Sequence, residues 1–505
     1  MKLFVAAGMA VLLAVAANAA EVHVTGGMIR GETLSDGSQI FRAIPYAAPP
    51  VGELRWKPPA PVISWTGVRD AVNAPHPCMQ LDEGWNAAAA SFGSEDCLYL
   101  SLHTPRHKAG AKLPVFLWIH GGANRAGSGY GFADSLIYKH GIVMVGIEYR
   151  LGVFGFLASP ELSAESPHKS SGNYALMDQI AALHWVHDNI AAFGGDPNNV
   201  TIGGQSSGAV DVGQLLRSPL ARGLFAKAIE ESGAPGLPRK MTQNEKIGSD
   251  FLAHLGLSPG PKALTEMRTL PADKLLTAGT KLLGPDGNFE SLWIATSADT
   301  WVLPGSANDI YNDGNQAQVP LLIGNTTQEF LLPASVGRGI IMAVFRDNAE
   351  RALALYGFQG DTQPPDDPVL GTVGTQVITD LAFRCSANQM ARWEDANRVW
   401  RYQFGIPQAG MDHVEHTAEL DYVFGQKPAN ATFATWPPVQ DYWANFIIKG
   451  NPNGSGLAQW PALGKDKTYL AFMPSGPELG HDLRGPICRL MVDSTARAER
   501  AGIWP

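Results

Sequence analysis

The sequence predicts an α/β fold built on a mainly parallel central sheet flanked by helices, and three observations carry that expectation. Short apolar runs rich in β-branched and aromatic residues alternate with helix-like segments through the first half of the chain, as strands and crossover helices do. These runs are continuous rather than alternating, which is what strands buried on both faces require. Hydrophobic residues make up 45% of the 505 residues and charged residues 17%. That is ample apolar material for a large core and too little charge for a disordered or coiled-coil chain. Lys+Arg 38 against Asp+Glu 47 leaves a net charge of −9 and no basic run, which excludes a general nucleic-acid binder working through a basic face.

From the N-terminus, Lys2 precedes an apolar stretch from Leu3 to Ala17 that ends in the small-x-small pattern Ala17-Asn18-Ala19. Residues 1–19 therefore read as a cleavable export signal, since the stretch is shorter than the roughly 20 apolar residues that span a bilayer. No later segment is long and apolar enough to span, so residues 20–505 are expected to be secreted or periplasmic without a membrane anchor. Export makes the four cysteines, Cys78, Cys97, Cys385 and Cys488, two disulfides with three possible pairings. There is no Cys-x-x-Cys pair to favour zinc instead.

Val115-Phe116-Leu117-Trp118-Ile119, Val143-Met144-Val145-Gly146-Ile147 and Val200-Thr201-Ile202 read as buried strands. Tyr174 to Phe193 reads as an amphipathic helix, with Leu176, Ile180, Leu183, Val186 and Ile190 at three- and four-residue spacing and Gly194-Gly195-Asp196-Pro197 as its stop. The 55 glycines and 36 prolines are spread along the chain, which points to many ordered loops rather than a linker. Pro259 to Asn315 is the least periodic stretch and is expected to supply lid or pocket-wall structure.

Gly204-Gln205-Ser206-Ser207-Gly208 matches G-x-S-x-G, in which the serine sits on a strained strand-to-helix turn. Gly256-Leu257-Ser258-Pro259-Gly260 matches as well. The two separate physically, because the residue after the nucleophile must donate its backbone N–H to an oxyanion and proline has none. Ser258 fails that test and follows no apolar strand. Ser206 follows Val200-Thr201-Ile202-Gly203 and leads into a helix-like run. Upstream, the strand ending at Ile119 is followed by His120-Gly121-Gly122-Ala123, small residues whose N–H groups can face a developing oxyanion.

With these residues in place the chain resembles the type-B carboxylesterases of the cholinesterase and carboxylesterase family. The resemblance extends over nearly the whole mature chain. It rests on Phe41-Arg42-Ala43-Ile44-Pro45-Tyr46-Ala47 with Pro50-Val51-Gly52-Glu53-Leu54-Arg55, on Glu95-Asp96-Cys97-Leu98-Tyr99-Leu100, and on Tyr149-Arg150-Leu151-Gly152-Val153-Phe154-Gly155-Phe156-Leu157. Asp178-Gln179, Phe193-Gly194-Gly195-Asp196-Pro197 and the elbow follow in the family's order. The resemblance implies the α/β-hydrolase fold with lid and pocket insertions, one catalytic domain, no cofactor, and an ester as the small-molecule substrate. It implies oxyanion donors at Gly122, Ala123 and Ser207, although the family commonly has glycine where Ala123 stands and alanine where Ser207 stands. The family's aromatic after the glycines is replaced by Asn124, followed by Arg125, which is either a contact for a substrate carboxylate or a solvated loop residue.

An α/β-hydrolase orders its triad Ser, then Asp/Glu, then His. Val319 to Gly324 reads as a buried strand, and Glu329 follows it where the family has the glutamate of Asp-Glu-Gly; here its neighbours are Gln328 and Phe330. Of 13 histidines, His416 stands out because His416-Thr417-Ala418-Glu419-Leu420-Asp421-Tyr422-Val423-Phe424 resembles the family's catalytic-histidine loop, with His413 as its rival. Neither His413/His416 nor His184/His187 has a third metal ligand at a telling spacing, and no metal is expected. The assignments give a serine esterase in which His416 takes the Ser206 proton, Glu329 orients the imidazole, and an acyl-enzyme forms and is hydrolysed. By analogy Ser232 supports the acid from behind, and the disulfides pair Cys78 with Cys97 and Cys385 with Cys488. A specialised amide, thioester or polyester hydrolase would use the same machinery. A non-catalytic binding protein on this fold would have lost the nucleophile or the base, and this chain retains both.

Overall fold

In chain order the strands are β1 (Ala20–Val24), β2 (Gly27–Thr33), β3 (Gln39–Pro45), β4 (Val68–Asp70), β5 (Tyr99–Thr104), β6 (Leu113–Ile119), β7 (Val143–Ile147), β8 (Gly195–Gln205) and β9 (Lys227–Glu231). Then come a short pair, β10 (Arg239–Lys240) and β11 (Ser297–Ala298), followed by β12 (Leu321–Thr326), β13 (Val399–Phe404), β14 (Thr468–Met473) and β15 (Gly476–His481). All but β10 and β11 join one sheet in the spatial order β1-β2-β3-β5-β7-β6-β8-β9-β12-β13-β14-β15, with β4 beside β2. From β7 to β14 every neighbouring pair is parallel. The computed structural model describes residues 20–130, 135–233, 238–282, 296–305, 314–408, 410–425 and 438–500. The expected signal, residues 1–19, lies outside them.

The continuous apolar runs are explained by what covers the sheet. Along β6, Val115, Leu117 and Ile119 enter one hydrophobic cluster and Phe116 and Trp118 another, so neither face meets water. Register then aligns the strand ends. Ile119 stands opposite Gly204, Gln205 opposite Glu231, and Glu231 opposite Gly324. The loops that begin at His120, Ser206, Ser232 and Thr327 therefore emerge along one edge, at the carboxyl ends of the parallel strands, where open α/β sheets place their binding sites.

The helix after Asn173 runs from Tyr174 to Asn189, and a 3-10 turn, Ile190–Phe193, completes it before Gly194 at φ 80°. It differs from the amphipathic helix expected from spacing, because polar positions are buried as well: Asp178 and Gln179 have no exposed surface. Each has a partner. Asp178 forms a buried ion pair with Arg150 at 2.6 Å, and Gln179 Nε2 donates to Asp211 Oδ2 at 2.6 Å. In the expected pocket-wall segment, Pro261–Thr269 and Ala272–Gly279 are helices, while 283–295 and 306–313 lie outside the described residues. The carbonyls of Met267, Arg268 and Leu270 accept from Arg55 Nη1.

Cys78 pairs with Cys97, 19 residues apart, and Cys385 with Cys488, 103 residues apart. Loop-closure entropy assigns the longer loop the larger stabilisation, about 4–5 kcal/mol against about 3 for the shorter. Paired Cys385→Ala and Cys488→Ala replacement is expected to lower the urea midpoint more than Cys78→Ala with Cys97→Ala. The reverse order would show that strain or residual denatured structure, not loop length, sets the gain. No helix among the described residues is long and apolar enough to cross a membrane.

Candidate active site

Strand β8 ends at Gln205 and a helix, Ser207–Arg217, starts two residues later, so Ser206 must reverse the chain alone. It does so at φ 57°, ψ −128°, a strained conformation for a residue with a Cβ. Its N–H donates to Glu231 O at 2.9 Å, which pins the turn to β9. A Cβ on Gly208 would come within 2.1 Å of Ile119 O, so glycine is required where the new helix crosses the end of β6. The second serine motif has none of this setting: Ser258 is exposed in a turn between the helices Met241–Leu255 and Pro261–Thr269.

The His120-Gly121-Gly122-Ala123 segment passes directly over the elbow. A Cβ on Gly121 would lie 2.7 Å from Gln205 O and 3.0 Å from the Ser206 Cβ. Gly122, Ala123 and Asn124 all have positive φ, at 107°, 55° and 55°. The turn is closed by Gly122 O, which accepts from Arg125 N and Ala126 N. Among the described residues the N–H groups of Gly122, Ala123 and Ser207 have no acceptor within the protein. His120 is buried against Tyr149, and burial pushes its pKa down to about 4, so it is neutral. Arg125 is committed to Glu83 through a two-point ion pair, at 2.9 Å and 3.0 Å. The edge of Trp85, 67% exposed, lies against Gly122.

Beyond β12, Glu329 and His416 meet although 87 residues separate them: Nδ1 of His416 is 2.5 Å from Glu329 Oε2. The His416 N–H also donates to Glu329 O, at 3.1 Å. The other carboxylate oxygen, Oε1, accepts from Thr326 N and from Ser232 Oγ, both at 2.8 Å. Glu329 is buried, and the imidazole lies between Phe330 and Phe383, with ring centroids 5.0 and 5.1 Å away. Burial pulls the His416 pKa down, but the hydrogen bond and charge of Glu329, with Glu419 beyond, outweigh it, and the net displacement is upward. His413 stands apart, bonded to Asp412 and Glu415. No group of metal-ligating side chains occurs among the described residues.

Two residues of the site went unassigned in the sequence. Gln205 Nε2 donates to His416 Nε2 at 3.0 Å, filling the lone pair that faces the elbow, and Ser206 Oγ makes no hydrogen bond to the imidazole. Catalytic hydrogen bonds are often long in a substrate-free site and tighten in the complex. Glu419, fully buried, lies 3.3 Å from Ser232 Oγ and 3.2 Å from Tyr402 OH. Burial, with the Glu329 charge nearby, raises its pKa. A protonated Glu419 donating to Ser232 lets that hydroxyl donate on to Glu329, while Glu419 Oε2 has no partner among the described residues.

The carboxylesterase family pattern matches residues 18–490. The fumonisin B1 esterase of Sphingopyxis macrogoltabida is 32% identical over 498 residues, spanning 91% of this chain and 88% of that protein. The acylcarnitine hydrolase of Mus musculus is 32% identical over 507 residues, with 92% and 88% covered. A solved carboxylesterase of Geobacillus stearothermophilus superposes with a TM-score of 0.78 at 31% identity, covering 93% of this chain and 99% of that one. A PNB esterase structure superposes with a TM-score of 0.78 at 30% identity and the same coverage. With its mostly parallel sheet and these relatives along nearly its whole length, the chain belongs to the carboxylesterase family: it has the α/β-hydrolase fold and is a carboxylic ester hydrolase.

Proposed function

We propose that this protein is an exported serine carboxylesterase acting through Ser206, His416 and Glu329. The observation that carries the reading is the strained Ser206 elbow at the same sheet edge as the 2.5 Å His416–Glu329 contact. His416 Nε2, once released by Gln205, takes the Ser206 proton as Oγ adds to the ester carbonyl. Glu329 holds the Nδ1–H tautomer and stabilises the imidazolium. The carbonyl oxygen, now negative, accepts from the N–H groups of Gly122, Ala123 and Ser207. Collapse breaks the bond to the alcohol, which leaves with the proton from His416, and water repeats the sequence on the acyl-enzyme. Arg125, held by Glu83, supports the loop rather than reaching a substrate. Residues 1–19 are removed on export, and 20–505 form the single catalytic domain; two disulfides suit an oxidising compartment.

The test combines turnover of short-chain p-nitrophenyl esters with fluorophosphonate labelling of the folded chain. The expected result is one adduct, located on Ser206 by peptide mass spectrometry, and no adduct or turnover in Ser206→Ala. Labelling elsewhere, or equal turnover by the variant, would overturn the assignment.

A further inference from the structure

Where this chain departs from its family's motif around the oxyanion loop, the departures touch one another. Asn124 stands in place of an aromatic residue and Ser207 in place of alanine, and the Asn124 N–H donates to Ser207 Oγ at 2.9 Å. Asn124 is fully buried, and each of its polar groups is engaged. Its carbonyl accepts from Gly152 N at 2.7 Å, its Oδ1 from Tyr149 OH at 3.3 Å, and its Nδ2 donates to Asp211 Oδ1 at 3.0 Å. The single hydroxyl hydrogen of Tyr149 is shared between Asn124 Oδ1 and the nearer acceptor, His120 O at 2.6 Å, at the other end of the same loop.

We propose that Asn124 and Asp211, keyed by the Ser207 hydroxyl, are positioning residues that fix the Gly122-Ala123 peptides relative to Ser206. The inference rests on the ester-hydrolase reading above. Ala123 and Asn124 are consecutive non-glycine residues at φ 55°, a conformation kept only when the surroundings over-determine it. The clamp supplies that determination. Asp211 lies on the helix that begins at Ser207, immediately after the nucleophile, so the loop is referenced to the same rigid element that carries the elbow. Asp211 itself is fully buried and has only amide donors, Asn124 Nδ2 and Gln179 Nε2; burial pushes its pKa up to about 7. A buried carboxyl without a cation is costly where apolar packing would serve to fill space. Here it orients one amide and thereby the peptide bonds before it. Ser207 joins the halves of the hole, its N–H facing the oxyanion and its hydroxyl receiving the loop.

Oxyanion donors act only within hydrogen-bond reach of the developing charge, and a displacement of about 1 Å costs roughly 10²-fold in rate. Asn124→Leu keeps the branched shape, with bulkier methyl ends, and deletes the side-chain bonds; Ser207→Ala removes one oxygen and keeps the N–H. Each is compared with wild type for kcat and KM on p-nitrophenyl butyrate. Inhibition is measured with an alkyl trifluoromethyl ketone, to whose carbonyl Ser206 adds, leaving an oxyanion in the hole. The expected result is a fall in kcat of about 10²-fold for Asn124→Leu and about 10-fold for Ser207→Ala. The ketone Ki should rise by the same factors, KM should stay within about threefold, and the double variant should be no worse than Asn124→Leu. A melting-temperature loss with kcat and Ki unchanged would make the network structural and overturn the proposal. Ser207→Ala keeps the test decisive should Asn124→Leu fail to fold. A wild-type chain that neither hydrolyses the ester nor binds the ketone would instead overturn the ester-hydrolase reading, and the clamp with it.

Discussion

Replacing His416 with alanine is expected to lower kcat for ester hydrolysis by on the order of 10⁶, about as much as removing Ser206 itself. The two losses are alike because the groups act as a unit: a hydroxyl that cannot shed its proton is no better a nucleophile than an absent one. His416→Ala combined with Ser206→Ala should therefore cost no more than either alone, whereas independent contributions would multiply. The fold should survive, since Glu329 keeps its bonds to Thr326 N and Ser232 Oγ when the imidazole is gone. The pH profile gives a second reading of the same role. A general base works only when neutral, and the His416 pKa is displaced upward from the ordinary 6.5. Wild-type kcat/KM should fall as pH is lowered through a value above 6.5, and that limb should vanish from the residual activity of His416→Ala. A variant retaining both the limb and a tenth of the rate would move the base elsewhere, with His413 the nearest alternative in sequence.

How far the site could be read in the sequence follows from how local each determinant is. Ser206 was legible because an elbow needs a preceding buried strand, small flanking residues and a following N–H, all within a few positions, and Ser258 fails on the proline beside it. Strands β6, β7 and β8 were legible as unbroken apolar runs. Strand β13 was not, because Arg401 interrupts Val399–Phe404; its guanidinium is buried and donates to Asn388 and Asn325, acceptors that only the fold assembles. The same distance in sequence hid Gln205 as a partner of His416, Glu419 as the group behind Ser232, and Glu83 as the partner of Arg125. In Tyr174–Asn189 the apolar spacing was correct, but spacing alone does not show that Asp178 and Gln179 are buried too, each held by a partner, Arg150 and Asp211, from a distant part of the chain. Periodicity reports which positions are apolar, not whether a polar one has found a partner.

Glu329→Gln tests the most specific feature of the acid, the division of labour between its two oxygens. Oε1 receives two donors, Thr326 N–H and Ser232 O–H, so a glutamine at this position must place its carbonyl oxygen there. Its NH₂ is then forced toward His416 Nδ1, where Oε2 now accepts. Two donors cannot share a 2.5 Å contact, so Nδ1 must become the acceptor and the imidazole proton moves to Nε2. That is the wrong tautomer, with the nitrogen facing the nucleophile no longer able to take a proton, and the loss in kcat is expected to be about 10⁴. The substitution also removes the hydrogen bond and charge that raise the His416 pKa while leaving the burial that lowers it. The acid limb of the residual activity should therefore move to lower pH than in wild type and past the ordinary 6.5, because the burial remains, whereas a general loss of structure would return it only to 6.5. The measurement is the kcat/KM profile of Glu329→Gln beside wild type from pH 5 to 9, with near-UV circular dichroism to establish an unchanged fold. A loss under about tenfold, or a limb displaced upward, would show that the carboxylate neither selects the tautomer nor supports the imidazolium, and that the acid of this site lies elsewhere, with buried Glu419 as the first position to replace.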